Sequence, residues 1–207
     1  MSLHTITPTT LPSALAHLTS LDPDLARIHA RLGPPPVWER EPGFATLVQI
    51  ILEQQVSLAS ARAAFARLEK ASGAVTPQSF LAFDDPVLKT IGFSHQKAGY
   101  CRGLARAILN GEIDLGSLSA MDDVEARSAL IKVKGIGPWT ADIYLLMALL
   151  RPNVWPAGDL ALAVAYQKLR QLPTRPGPRE LEAIAETWSP WRAVAARLLW
   201  HFYLNPP

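Results

Sequence analysis

The stretch that decides the fold runs from Leu130 to Asp159, LIKVKGIGPWTADIYLLMALLRPNVWPAGD. A helix-like apolar pattern enters the tight turn Gly135-Ile136-Gly137, and Pro138 opens a second helix at the position proline tolerates best. A proline-containing loop then delivers one carboxylate, Asp159, at the start of a further helix. Glycines at Gly-x-Gly spacing permit a sharp turn and positive φ, exposing consecutive backbone N–H groups at the positive end of the next helix dipole. Such a turn can receive a phosphate, and an acid that follows can act on the molecule carrying it. Each feature alone has a plainer use. A bare Gly-x-Gly serves ordinary helical hairpins, and Asp159 fits as an N-cap.

Outward from this stretch, helical spacing recurs and strand-like alternation is nowhere sustained. Helices are expected over 10–21 and 22–32, the second with Asp22 as N-cap and Pro23 at its first position. Gly33-Pro34-Pro35-Pro36 makes a stiff connector. The helix over 43–54 is apolar at Phe44, Leu47, Val48 and Ile51, and Gln55 falls on the same stripe one turn on, where an amide is out of place. Ser57 can cap a helix over 58–71. Short pieces follow at 77–83 and 86–91, then a longer helix over 94–110 that is basic at Lys97, Arg102 and Arg106. Asp122 or Asp123 starts a helix through Lys132, and helices over 160–172, 178–188 and 190–204 complete an all-α bundle of about ten short helices.

The composition narrows the class further. In 207 residues, 49% are hydrophobic and 18% charged, which is a chain that folds around a core. A net charge of +2 is compatible with nucleic acid without arguing for it. Cys101 is the single cysteine, so the chain has no internal disulfide framework and no cysteine-ligated zinc or iron–sulfur cluster. His4, His17, His29, His95 and His201 show no metal-ligand spacing, and no phosphate-binding Gly-x-x-x-x-Gly-Lys loop is present. The N-terminus has no signal-peptide pattern and no apolar run is long enough for a membrane span. A cytoplasmic or otherwise intracellular protein is expected, nucleoid-associated in a bacterium.

The flanks of the turn carry a resemblance. Leu130 to Ala141, with Lys134-Gly135-Ile136-Gly137-Pro138-Trp139-Thr140 at its centre, is similar to the helix-hairpin-helix motif of DNA repair glycosylases. Pro156-Ala157-Gly158-Asp159 matches the loop and aspartate of the helix-hairpin-helix-GPD superfamily. The resemblance spans roughly Pro42 to Leu204. It implies a single catalytic unit of two helical lobes with a cleft between them. The middle lobe would cover roughly 42–155, with the hairpin at 124–150; the other would join the N-terminal helices to 156–207. By its length the chain is expected to lack the N-terminal β-domain of some members, and it resembles the compact form.

By this resemblance Lys134, Gly135, Ile136, Gly137 and Thr140 would grip a DNA phosphate. Carbonyls of Ile131, Val133 and Gly135 would hold an alkali cation, Na+ or K+, with no other cofactor and no iron–sulfur cluster. Asp159 would stabilise the positive charge of the sugar as an N-glycosidic bond breaks, and direct the attacking water. Bifunctional members carry a Schiff-base lysine two residues after the second hairpin glycine; here that residue is Trp139, which implies a monofunctional enzyme without lyase activity.

Tryptophan in that slot resembles the 3-methyladenine DNA glycosylase II family, whose aromatic pocket accepts electron-poor alkylated bases. The segment Trp188-Ser189-Pro190-Trp191-Arg192 through Trp200 resembles the same branch, with Trp200 lining the base pocket. On a helical wheel Trp191, Val194, Ala195, Leu198 and Phe202 form one stripe, and Trp200 points about 180° away. Ile143 stands where better-known members have an aromatic residue, with Tyr144 beside it as a further pocket candidate. The motif Gln54-Gln55-Val56-Ser57 resembles the loop that plugs the hole left by an extruded base, with Gln55 as the plug. Arg192 suits either a phosphate or an ion pair. The expected partner is double-stranded DNA with damaged bases, met by a monomer and no membrane. Two other readings stay open: a non-enzymatic module that senses damaged DNA, and a glycosylase for deaminated or oxidised bases.

Overall fold

The computed structural model describes residues 5–206. Among them are α1 (Thr10–Leu21), α2 (Pro23–Leu32), α3 (Phe44–Glu53), α4 (Leu58–Ser72), α5 (Pro77–Leu81), α6 (Asp85–Ile91), α7 (His95–Leu109), α8 (Asp123–Ile131), α9 (Pro138–Met147), α10 (Leu160–Leu169), α11 (Pro178–Ala185) and α12 (Arg192–Leu204). Short 3-10 turns occur at Ser117–Ala120 and Glu186–Trp188, and no described residue is in a strand. No described helix is long and apolar enough to cross a membrane.

Short helices need their ends satisfied, and side-chain caps do this along the chain. Asp22, Ser57, Asp84, Ser94 and Asp159 each accept from a first-turn N–H, and Thr76 and Asp122 form reciprocal capping boxes. The ends departed from expectation mainly at the C-terminal side. α10 stops at Leu169, with Gln171 just beyond at φ 52; the helix expected over 178–188 tightens into a 3-10 turn; and α12 begins at Arg192.

Two compact units divide the chain. One comprises Arg40–Tyr144, the other the segment up to Glu39 together with everything from Leu145. The division falls inside α9 rather than at residue 155. Tyr144 belongs to the first unit, where its hydroxyl accepts from the Gly43 N–H at 2.9 Å. Leu146 belongs to the second, where its carbonyl accepts from Arg197 at 2.7 Å.

In the Arg40–Tyr144 unit α3 packs on α7, with Leu47, Val48, Ile50 and Ile51 of α3 and Cys101, Leu104 and Ala105 of α7 fully buried. Phe44, Phe80 and Phe93 meet edge to face at 5.9 and 5.4 Å, a favoured aromatic geometry. Burial pushes the Cys101 thiol well above its ordinary pKa. The basic side anticipated for α7 faces inward in part: Lys97 donates to backbone carbonyls, and Arg102 pairs with Asp85 and the Phe83 carbonyl.

The other unit is built around α12, and here the single-stripe reading fails. Every residue from Ala193 to Trp200 is buried, because α1, α2 and α10 surround the helix. The alanines let these neighbours approach from several sides. Arg197 lies in this interior with its guanidinium donating to the carbonyls of Val37, Ala193 and Leu146, and burial pulls its pKa down to about 9. Trp188 is buried against Trp155 and Tyr166, and its indole donates to Asp22 at 3.0 Å.

Candidate functional site

The hairpin joins α8 to α9 through residues 132–137. Its two helices are braced by Arg127, which forms two hydrogen bonds to the buried Asp142 carboxylate at 2.7 and 3.1 Å. The two glycines have different jobs. Gly135 sits at φ 96, and a Cβ there would come within 2.2 Å of the Tyr100 ring. Gly137 has no positive φ, and a Cβ there would meet nothing within 4 Å. Gly135 makes the turn, whereas Gly137 presents open backbone on its outside.

The residues expected to grip a phosphate divide in the same way. Lys134 is exposed. Ile136 is buried and its N–H is spent on the Val133 carbonyl at 3.0 Å, so it shapes the turn. Thr140 is 2% exposed and its hydroxyl accepts from Gln54, so the side chain faces the interior. The exposed surface is therefore Lys134, Gly137 and the start of α9, where helix geometry directs N–H groups outward.

Gln55 is not on the stripe of α3, because that helix ends at Glu53. It stands in the turn before α4, exposed and in the left-handed region at φ 56. Val56 and Leu58 beside it are 47% and 48% exposed, an apolar flank unusual for a plain surface turn. Ser57 is exposed and caps α4 through the Ser60 N–H. Trp139 is half-buried, while Ile143 and Tyr144 lie in the core, with the Tyr144 hydroxyl engaged as above.

Asp159 lies in the other unit. Gly158 at φ 81 turns the chain so that Asp159 becomes the N-cap of α10. Its Oδ1 accepts from the Leu162 N–H at 2.9 Å and from the Trp200 indole N–H at 3.2 Å. Trp200 is held in turn by Trp38, whose ring meets it edge on at 6.3 Å. Asp159 itself is half-exposed. The arrangement is a carboxylate of fixed orientation beside two indoles, suited to meeting positive charge. Arg192 makes the ion pair, with Glu186, and also donates to the Asn153 carbonyl.

Several members of these arrangements escaped the sequence reading. Trp38 follows the three-proline connector, which is the available local signal for it. Gln54, Lys97, Tyr100, Arg127 and Asp142 act through contacts distant in sequence, which no local pattern announces. Among the described residues no group of three or more His, Cys, Asp or Glu could hold a metal ion; His4 lies outside them.

Comparison with known proteins adds names to this geometry. The model of the HhH-GPD superfamily base excision DNA repair proteins matches residues 48–190, inside the span of the resemblance above. DNA-3-methyladenine glycosylase 1 of Schizosaccharomyces pombe is 29% identical over 93% of this chain and 87% of its own. A putative DNA-3-methyladenine glycosylase of Bacillus subtilis, YfjP, is 31% identical over 76% of this chain, which spans 58% of that relative. Among solved structures, the S. pombe 3-methyladenine DNA glycosylase Mag1 in complex with abasic DNA superposes with a TM-score of 0.87 at 28% identity, covering 94% of this chain and 98% of that one.

Proposed function

Because the chain belongs to the HhH-GPD superfamily of base excision DNA repair proteins, we propose that it is a monofunctional glycosylase that extrudes alkylated bases of the 3-methyladenine type and hydrolyses their N-glycosidic bond. The observation that carries this reading is Asp159. Two N–H groups fix Oδ1 at the start of α10, and the Trp38–Trp200 pair stands beside it. Cleavage develops positive charge on the sugar, and a carboxylate already in place needs no rearrangement to stabilise it. The same group directs water at the anomeric carbon. An alkylated purine that carries positive charge leaves readily and stacks well on indole, so one acid suffices.

The hairpin supplies the hold on duplex DNA through Lys134, Gly137 and the first turn of α9, and Gln55 plugs the stack. Trp139, half-buried in the slot of the lyase lysine, offers an indole to the extruded base and no amine for a Schiff base. The carbonyls of Ile131, Val133 and Gly135 are hard oxygen donors that suit an alkali ion. Val133 and Gly135 already accept from the Ile136 N–H and from Gln54, which leaves each one further lone pair for the ion. A DNA substrate places the protein inside the cell.

The test is base release from alkylated duplex DNA, identified by mass spectrometry. Free 3-methyladenine is expected with abasic strands left uncut, and borohydride is expected to trap no covalent complex. Tight binding to abasic DNA with no base released from any alkylated, deaminated or oxidised substrate would make the chain a damage sensor instead.

A further inference from the structure

Gln55 holds a left-handed backbone that non-glycine residues avoid, at an exposed loop tip, so its neighbours must fix it there. On the α3 side three attachments do so. The Glu53 carboxylate is buried and takes two hydrogen bonds from Arg40, at 2.9 and 3.2 Å. The Lys97 ammonium, from α7, donates to the carbonyls of Leu52 and Gln54 at 2.7 and 2.8 Å. These carbonyls belong to the negative end of α3, where a cation is favoured. Burial draws the Lys97 pKa below its ordinary value.

The third attachment leaves the loop altogether. The Gln54 amide reaches the hairpin, donating to the Gly135 carbonyl at 3.0 Å and to the Thr140 hydroxyl at 2.9 Å. Both amide hydrogens are thereby used, a pairing that neither an apolar side chain nor a carboxylate can reproduce. Tyr100 closes the arrangement. It lies one turn beyond Lys97 on α7, so both project from one face of that helix, and its ring packs directly beneath Gly135. One face of α7 therefore carries the root of the Gln55 loop and the turn of the hairpin together.

We propose that Gln54 and Lys97 are positioning residues that lock the Gln55 loop to the hairpin turn, so that the stack plug and the phosphate grip form one rigid piece. Gripping a backbone phosphate then presents Gln55 at a fixed spacing along the duplex, and the DNA must deform to meet it. A duplex with a weakened pair yields to that demand at least cost. The inference rests on the proposed glycosylase reading, but it can be measured without base release.

The probe is a duplex carrying an abasic site with 2-aminopurine as the adjacent base, whose fluorescence rises when it is unstacked. Wild-type protein is expected to raise the signal on binding. Gln54→Leu and Lys97→Met are expected to bind within about threefold of wild type yet lose most of the rise, while Lys97→Arg, which keeps a cation able to donate to the same two carbonyls, retains part of it. On alkylated substrates the two disruptive variants should lose about tenfold in single-turnover excision from duplex, and at most about twofold from single-stranded DNA, where no stack needs opening. Equal losses on both substrates that track a lowered Tm, or an undiminished fluorescence rise in both variants, would overturn the proposal. A wild-type protein that unstacks the probe but releases no base would refute the glycosylase reading, and the fluorescence of the variants would still decide this one.

Discussion

Two aspartates in one compact unit cap helices and accept from a tryptophan indole, Asp22 from Trp188 at 3.0 Å and Asp159 from Trp200 at 3.2 Å. Their surroundings then part. Asp22 is 7% exposed, caps α2 through two N–H groups and also takes Arg170, which lies over the Tyr166 ring. Asp159 is half-exposed at the head of α10, beside the Trp38–Trp200 pair. The same local device thus serves two ends. Enclosed and matched by an arginine, the carboxylate ties α2, α10 and the 3-10 turn at Glu186–Trp188 together. Half-exposed at the head of α10, the other carboxylate holds a helix end and an indole with its Oδ1.

Exchanging the acids for amides should separate the two most sharply. Asp159→Asn is expected to reduce base release by at least about 100-fold, with little change in thermal midpoint, since Asn caps a helix about as well as Asp. Asp22→Asn should do the reverse. It removes one of the two carboxylates, Asp22 and Asp24, that pair with Arg170, and costs about 1–2 kcal/mol in denaturant unfolding, with normal turnover per folded molecule. Loss of stability alone from both variants would erase the distinction.

The indoles give a smaller effect. Trp200→Phe keeps the aromatic contact and removes one donor to Asp159, with an expected loss of about tenfold in single-turnover excision. Trp188→Phe should cost about 1–2 kcal/mol of stability and leave the rate alone. The hairpin glycines repeat the division on the smallest functional scale. Gly137→Ala should leave the melting curve in place and weaken duplex binding by about fivefold, roughly one backbone hydrogen bond. Gly135→Ala, forced into positive φ against Tyr100, should destabilise by about 2 kcal/mol or more. Equal behaviour of the two alanines would show that the turn does not separate shape from contact.

Much of the architecture was legible because short helices depend on local signals. Caps at Asp22, Ser57, Ser94 and Asp122 and prolines at first positions mark helix starts, and these signals act within a few residues. The turn at Gly135-Ile136-Gly137 and the N-cap at Asp159 were legible for the same reason. The failures share a physical origin too. A wheel assumes one buried face, and α12 has several, so Trp200 could not be told from the core by phase alone. Gln55 looked like a break in the α3 stripe because nothing local ends that helix at Glu53; Arg40, Lys97 and Gln54 hold the end from a distance. Tertiary ties of this kind also explain why Thr140, a plausible phosphate contact by position, faces inward.

The buried thiol of Cys101 also bears on how the chain meets electrophiles such as alkylating agents. Such electrophiles attack thiolates, and this sulfur is enclosed between α3 and α7 and held in its protonated form. The folded chain thus keeps its one thiol out of their reach. Only when the core around α7 opens does the sulfur become a target, so the rate at which Cys101 is modified is a clock for that opening.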